Sequence, residues 1–224
     1  MLHSNLGSPY YRDNSGRSYF ETYQDPQARG GSFLNAPLYQ PFVHPRDAVL
    51  DFACGSGELL SLLRAQRKIG VEVNPSALEA ARARGLEIFE RLEEVPSGTI
   101  DVVISNHGLE HTLRPFDVLS ELRRCARAGG RLVLYLPADA WWRQPSARSC
   151  DPNHHLYTWT PLLLANLLGE AGWDVQYAKL KFHAWPSRGY ANLRHLPVGL
   201  AQAVCRACGL LLLQPQIHAY ALNS

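Results

Sequence analysis

The chain has 224 residues, of which 46% are hydrophobic and 19% charged, with a formal net charge of +2. That is long enough for one large domain with its own core, and too little charge to argue for nucleic acid or a membrane surface by electrostatics alone. No apolar run approaches the ~20 residues that span a bilayer, and MLHSNLGSPYYRDNSG at the N-terminus has no apolar signal core, so the expected location is the cytoplasm.

Residues 1–45 are rich in Tyr, Gly, Pro, Ser and Asn, with a short helix expected around Tyr19–Gln24. PLYQPFVHP closes this region with three prolines and reads as extended or looped rather than helical. From Ala48 the pattern alternates. AVLDFA is a strand-like apolar run, GELLSLLRAQR has helical apolar spacing, and KIGVEV is a second strand. NPSALEAARARG is a helix with Asn74 as N-cap, Pro75 in its first turn and Gly85 as its stop. LEIFE and IDVVISN are the third and fourth strands, RPFDVLSELRRCARAGG is a helix ended by two glycines, and RLVLYLP is the fifth strand. TPLLLANLLGEAGW is helical, WDVQYAKLKFH is a sixth strand, LPVGLAQAVCRACG is helical and QIHAYAL is a last strand. Strands alternating with helices imply an α/β fold, a doubly wound and mostly parallel sheet covered on both faces. Ligands of such sheets bind outside the carboxyl ends of the strands. The loops after Ala53, Val73, Glu90, Asn106 and Pro137 therefore carry the expectation of a site.

Five cysteines, Cys54, Cys125, Cys150, Cys205 and Cys208, are too scattered for a disulfide framework. Cys205 and Cys208 form a lone CxxC in an apolar helical setting and read as two packed thiols one turn apart.

The loop after the first strand reads Gly55-Ser56-Gly57-Glu58-Leu59-Leu60. Leu60 stands where a dinucleotide fingerprint has its third glycine, and no Lys-Ser/Thr follows as a P-loop requires. Asp51 would repel a pyrophosphate at the next helix N-terminus but suits a ligand presenting an ammonium. Glu72 closes the second strand, where a carboxylate can accept hydrogen bonds from ribose hydroxyls.

VLDFACGSG resembles the first motif, D/E-x-G-x-G-x-G, of the class I S-adenosylmethionine-dependent methyltransferases, with Ala53 at the first glycine position. Glu72, DVVISNHGLEH and ARAGGRLVLYLP extend the resemblance over Ala48 to Pro137, and HHLYTWTP resembles an element of many small-molecule and glycan-pathway methyltransferases. The resemblance implies a Rossmann-like sheet of seven strands with an antiparallel last strand, in one catalytic domain over 46–224 behind an N-terminal arm or lid over 1–45. It implies S-adenosylmethionine as cofactor, held by Asp51, Ala53, Gly55, Gly57, Glu72 and Asn106, with the backbone around Arg91 and Leu92 against the adenine.

For the acceptor, the expectation is a small molecule or glycan methylated at oxygen. Its base or orienting group is His111 or His155, both on the ligand edge of the sheet. His107, Glu110 and His111 have spacing that could share one face and bind a metal, but no metal is expected. The alternative for Glu110 and His111 is a solvated or capping role at the start of the next helix, and for His154 and His155 a bracing of their loop. Trp141, Trp142, Tyr157 and Trp159 could wall the acceptor or belong to the core. Tyr10, Tyr11, Tyr19, Phe20 and Tyr23 could form the lid, or pack against the sheet edge or a second subunit, which leaves a homodimer open. SNHG replaces the N-P-P-Y type tetrad of amino-directed nucleic-acid methyltransferases, so no nucleic-acid partner is expected. A non-catalytic scaffold or partner subunit that binds S-adenosylmethionine is the alternative function.

Overall fold

Seven strands hydrogen-bond into one sheet in the order β3-β2-β1-β4-β5-β7-β6. They are β1 (Ala48–Phe52), β2 (Arg67–Val71), β3 (Glu87–Phe89), β4 (Ile100–Asn106), β5 (Ala126–Pro137), β6 (Asp174–Phe182) and β7 (Pro215–Leu222). The computed structural model describes residues 8–12, 14–138, 146–147, 151, 153–186 and 188–224. The first five strands pair in parallel, and β7 inserts antiparallel between β5 and β6. Strand order reverses at the junction of β1 and β4, so the crevice beyond their carboxyl ends is where this architecture places a ligand.

Helices α1 (Asn14–Tyr19), α2 (Asp25–Tyr39), α3 (Glu58–Leu62), α4 (Pro75–Ala83), α5 (Pro115–Cys125), α6 (Pro161–Glu170) and α7 (Val198–Leu211) cover the sheet. One core joins the sheet to α5 and α6 through Leu119, Leu122, Leu164, Leu168 and Trp173. A second core on the opposite face joins it to α2 and α3 through Tyr39, Leu59, Leu60 and Leu63. Burial on both faces explains why the central strands read as unbroken apolar runs rather than alternating ones. Asn74 caps α4 by accepting from the Ser76 and Ala77 amides, and Thr160 caps α6 through Leu163.

Three boundaries differ from the sequence expectation. Helix α2 runs through Pro37 and a 3₁₀ turn follows at Gln40–Phe42, where an extended segment was expected. The proline removes only one amide near the helix end. Leu34 and Tyr39, both almost fully buried, supply packing that outweighs its cost. Helix α3 stops at Leu62 rather than near Arg67, because Arg67 already pairs with Ala48 as the first residue of β2. Helix α5 ends at Cys125, and ARAGG belongs to β5 instead of the helix. The side chain of Asn223, at the end of β7, donates to the Arg123, Ala126 and Arg127 carbonyls and terminates α5 there. Cys205 and Cys208 lie one turn apart on α7 as unpaired thiols; Cys150 lies outside the described residues.

Candidate active site

Strand β1 delivers Asp51, 2% exposed, to the crevice. The chain then passes through left-handed backbone at Ala53, Gly55 and Gly57, with φ of 59°, 55° and 72°. Gly57 is also the N-terminal cap of α3, and a Cβ there would strike Leu86. At Gly55 a Cβ would come within 2.8 Å of the Gln24 amide nitrogen. The loop is pinned from β2: Glu72 accepts from the Gly55 amide through Oε2, and from the Val73 and Asn74 amides through Oε1, each at 2.8 Å. One lone pair on Oε2 remains for a further donor. Burial raises the pKa of Glu72, against the lowering effect of these three amides, and burial followed by the charge of Glu72 raises that of Asp51 well above the usual range. Two desolvated carboxylates side by side destabilise the loop unless something positive or proton-donating joins them. Ser56, between the two glycines, is 1% exposed, and its hydroxyl has no hydrogen-bond partner among the described residues.

Two connected cavities open on this loop. One lies between Phe52, Val71, Glu72, Arg91 and Leu92. The other is a larger open cleft bounded by Asp51, Asn106, His155, His183, Trp185 and Tyr190. Ala53, His107 and His111 border both. Asn106, at the tip of β4, accepts from the Tyr39 hydroxyl through Oδ1 at 3.1 Å, which leaves its NH₂ as donor.

Glu110 is not solvated, and His111 is only partly exposed. They form a 3₁₀ turn, Leu109–His111, in which Glu110 is fully buried and 3.8 Å from His107 Nδ1. Burial first, then the neighbouring His155, lowers the pKa of His111 to about 3, so its ring stays neutral. Its Nδ1 lies 2.7 Å from the Tyr11 hydroxyl, which donates to the Asn153 carbonyl. His111 and His155 meet edge to face at 5.0 Å, whereas His154 stacks on Tyr10 at 4.3 Å. Glu110, His111 and His155 bring three ligand-type atoms within 4.8 Å of one another, a spacing a divalent cation would accept. All four described non-glycine residues with left-handed φ, Ala53, His107, His154 and Leu213, stand in loops around these cavities. Strained backbone gathers at functional sites.

A family model described as a methyltransferase domain matches residues 22–178. The chain belongs to the class I S-adenosylmethionine-dependent methyltransferases. A ribosomal protein L11 methyltransferase of Ralstonia pickettii is 36% identical over 102 residues, which are 41% of this chain and 33% of that protein. The chain thus spans about a third of the length of the curated relatives it matches. An S-adenosylmethionine-dependent methyltransferase structure from Thermotoga maritima aligns over 92% of this chain and 98% of its own, at 15% identity and a TM-score of 0.64. The geranyl diphosphate C-methyltransferase of Streptomyces coelicolor, solved with S-adenosylhomocysteine, aligns over 100% and 92% at 13% identity and a TM-score of 0.59. These structures share the fold, and the methyl donor of the family is S-adenosylmethionine.

The residues of this chain fit that donor. It is a cation with an ammonium, a ribose diol and a flat base; the site offers buried Asp51, a spare acceptor on Glu72, the unsatisfied Ser56 hydroxyl and apolar Leu92. Asp51, Ala53, Gly55, Glu72, Leu92, Asn106, His111 and His155 all line the two cavities. Gly57 shapes the turn from behind. Of the two alternatives for these aromatics, the core one holds for Trp159, and neither Trp159 nor Tyr157 lines the cavities. Trp159 is buried in the core, and Tyr157, stacked on it, bonds the Leu113 carbonyl at the surface. Trp141 and Trp142 lie outside the described residues. The aromatic wall is instead Trp185 on Tyr190, stacked at 5.4 Å and 25°. Trp185 carried no local signal: it reaches this edge because β6 runs parallel to β5. Ser56 was legible, as the hydroxyl between two glycines; Tyr11 was among the lid candidates, whereas Gln24 comes from far upstream and carried no local signal.

Proposed function

We propose that this protein transfers the methyl group of S-adenosylmethionine to a hydroxyl oxygen of a small-molecule or glycan-type acceptor. The observation that carries this reading is the open cleft continuous with the pocket beside Glu72, walled by Trp185 and Tyr190 and edged by His155. A flat aromatic face with polar groups around it matches the apolar face and hydroxyl rim of a sugar-like ring. In the assignment proposed, Glu72 takes one ribose hydroxyl on its spare Oε2 lone pair, Asp51 and Asn106 the methionine end, and the backbone at Arg91 and Leu92 the adenine.

When bound, the donor supplies a methyl group already activated by its sulfonium. What the chain adds is alignment. The acceptor oxygen forms the new C–O bond as the S–C bond breaks and its electron pair stays on sulfur, and the hydroxyl proton passes to His155. His155 is favoured over His111 because burial first, then the neighbouring His155, makes the His111 ring a weak base. Tyr10, Tyr11 and Gln24 act as the lid. The Asn74 side chain, donating to the Gly16 carbonyl at 2.7 Å, ties that lid to the tip of β2.

The experiment is labelled-methyl transfer across a panel of hydroxylated acceptors, with calorimetry on S-adenosylhomocysteine as control. His155→Ala should lower turnover by roughly 100-fold or more and leave donor affinity within about tenfold. His154→Ala should lower thermal stability without a specific loss of turnover, since that ring stacks on Tyr10 outside the cleft. Equal turnover in His155→Ala would remove it as base. Chelator should leave activity unchanged. Activity lost with chelator and restored by a divalent ion would reassign Glu110, His111 and His155 as a metal centre.

Glu72→Ala should weaken donor binding by about 1.5–3 kcal/mol and loosen Gly55. Glu72→Gln should also fail, because an NH₂ would face a backbone amide. Isothermal titration with S-adenosylhomocysteine and amide exchange at Gly55 check both; native affinity in either variant contradicts the assignment. The L11-methyltransferase relatives suggest a protein acceptor as the rival, but the match covers only 41% of this chain. The aromatic-walled cleft favours the smaller acceptor.

A further inference from the structure

Helix α7 is apolar on both sides. Its inner face, Ala201, Cys205 and Gly209, is buried against α2 and the chain after β6, and a Cβ at Gly209 would strike the His183 backbone. Its outer face carries Leu200, Ala203, Ala207, Leu210 and Leu211, all exposed, with Leu211 at 83%. A helix with a second apolar face beyond the buried one has something left to cover. The exposed run continues through Leu212 and Leu213, and Leu213 holds a left-handed stop position, φ 48°, where glycine is usual. Leu213 lines the cleft together with Trp185 and Tyr190, so the apolar face leads to its mouth.

Charge identifies what covers this face. The last fifty residues, 175–224, hold five basic side chains, Lys179, Lys181, Arg188, Arg194 and Arg206, and no Asp or Glu. The preceding 174 residues carry −3, so the whole-chain value of +2 conceals a basic C-terminal region. Arg188, Arg194 and Arg206 are exposed, and Arg206 stands on α7 close enough to Lys181 and His183 to disfavour their charged forms. A second copy of the chain would fit poorly, since a two-fold contact sets the same cations against each other. An apolar helix face in a region with exposed Arg188, Arg194 and Arg206 and no acidic residue of its own matches a bilayer surface of anionic lipid.

We propose that α7 and the Leu210–Leu213 run dock this enzyme on an anionic lipid surface, with the cleft mouth turned toward the headgroups. The docking face stands on its own. Only the further consequence, that the acceptor is lipid-borne and enters from the membrane side, rests on the reading of the cleft as the acceptor site.

The test is co-sedimentation of the full chain with vesicles of phosphatidylcholine alone and of equimolar phosphatidylcholine and phosphatidylglycerol, in low and high salt. The protein should pellet with the anionic vesicles only, and salt should weaken binding. The variant carrying Leu210→Glu and Leu211→Glu should partition at least about tenfold less, with unchanged melting and unchanged affinity for S-adenosylhomocysteine. Absence of binding to anionic vesicles, binding without preference for them, or equal partition of the double variant would overturn the proposal. So would light scattering that shows a native dimer which the double variant splits, because a second copy would then be the cover. None of these readouts measures methyl transfer, so failure here is distinct from failure of the proposed activity.

Discussion

Gly55→Val will bind S-adenosylhomocysteine at least about a hundredfold more weakly than the native chain, roughly 2.7 kcal/mol or more. Gly55 sits at φ 55°, in the left-handed region that a β-branched side chain resists most strongly. Its amide is the one that Glu72 Oε2 holds, so a shift of φ also breaks the clamp between the loop and β2. A Cβ there would first meet only the end of the flexible Gln24 side chain, at 2.8 Å. The fold can absorb that contact; what it cannot restore is the open approach to the backbone. Gly57 provides the contrast. There a Cβ strikes Leu86, packed with the α2–α3 core, so Gly57→Ala should lower the melting temperature as well as affinity. Calorimetry and thermal melts on the two variants separate these effects, and native donor affinity in Gly55→Val would remove the loop from the binding site.

Asp51→Asn will stabilise the protein without ligand near neutral pH and weaken its hold on the donor. Burial, then the charge of Glu72, pushes the Asp51 carboxyl well above its ordinary range. The unfolded chain ionises this group near pH ~3.9, while the folded chain keeps the proton to higher pH. Folding therefore takes up a proton in between, and the native protein loses stability as pH rises across that window. Asparagine carries no such penalty. The melting curves of native and variant should lie close together in mild acid, and the variant should be the more stable at pH 7 to 8. Donor affinity should fall by about 1.5–3 kcal/mol, the value of a hydrogen bond to a charged group. Titrations in two buffers of different ionisation enthalpy should show proton release on ligand binding to the native chain and less in the variant. A variant that is less stable at neutral pH, with native affinity, would make Asp51 a structural residue.

The residues legible in the sequence share a physical property: their role is decided by the few residues around them. Asp51 and Glu72 close apolar runs that can only be buried parallel strands, so their carboxylates had to emerge at the ligand edge. The glycines of the loop likewise declare their backbone. Other features depend on distant packing. Pro37 sits inside α2 because Leu34 and Tyr39 anchor that helix, a fact no local propensity contains. Tyr11 reaches His111 across 100 positions, and Gln24 lies beside Gly55 across 31, so these contacts were invisible in the sequence. Trp159 and Trp185 have similar neighbours in sequence, yet one fills the core under α6 and the other walls the cleft. Which tryptophan does which follows from the position of β7 between β5 and β6, which places the end of β6 at the ligand edge.

A crystal structure of the chain with S-adenosylhomocysteine tests the central claim most directly. A ribose hydroxyl should donate to Glu72 Oε2, the adenine should lie against Leu92, and the sulfur should face the open cleft between Asn106 and His155. A ligand whose ribose leaves Glu72 untouched, or whose sulfur points away from that cleft, would contradict it.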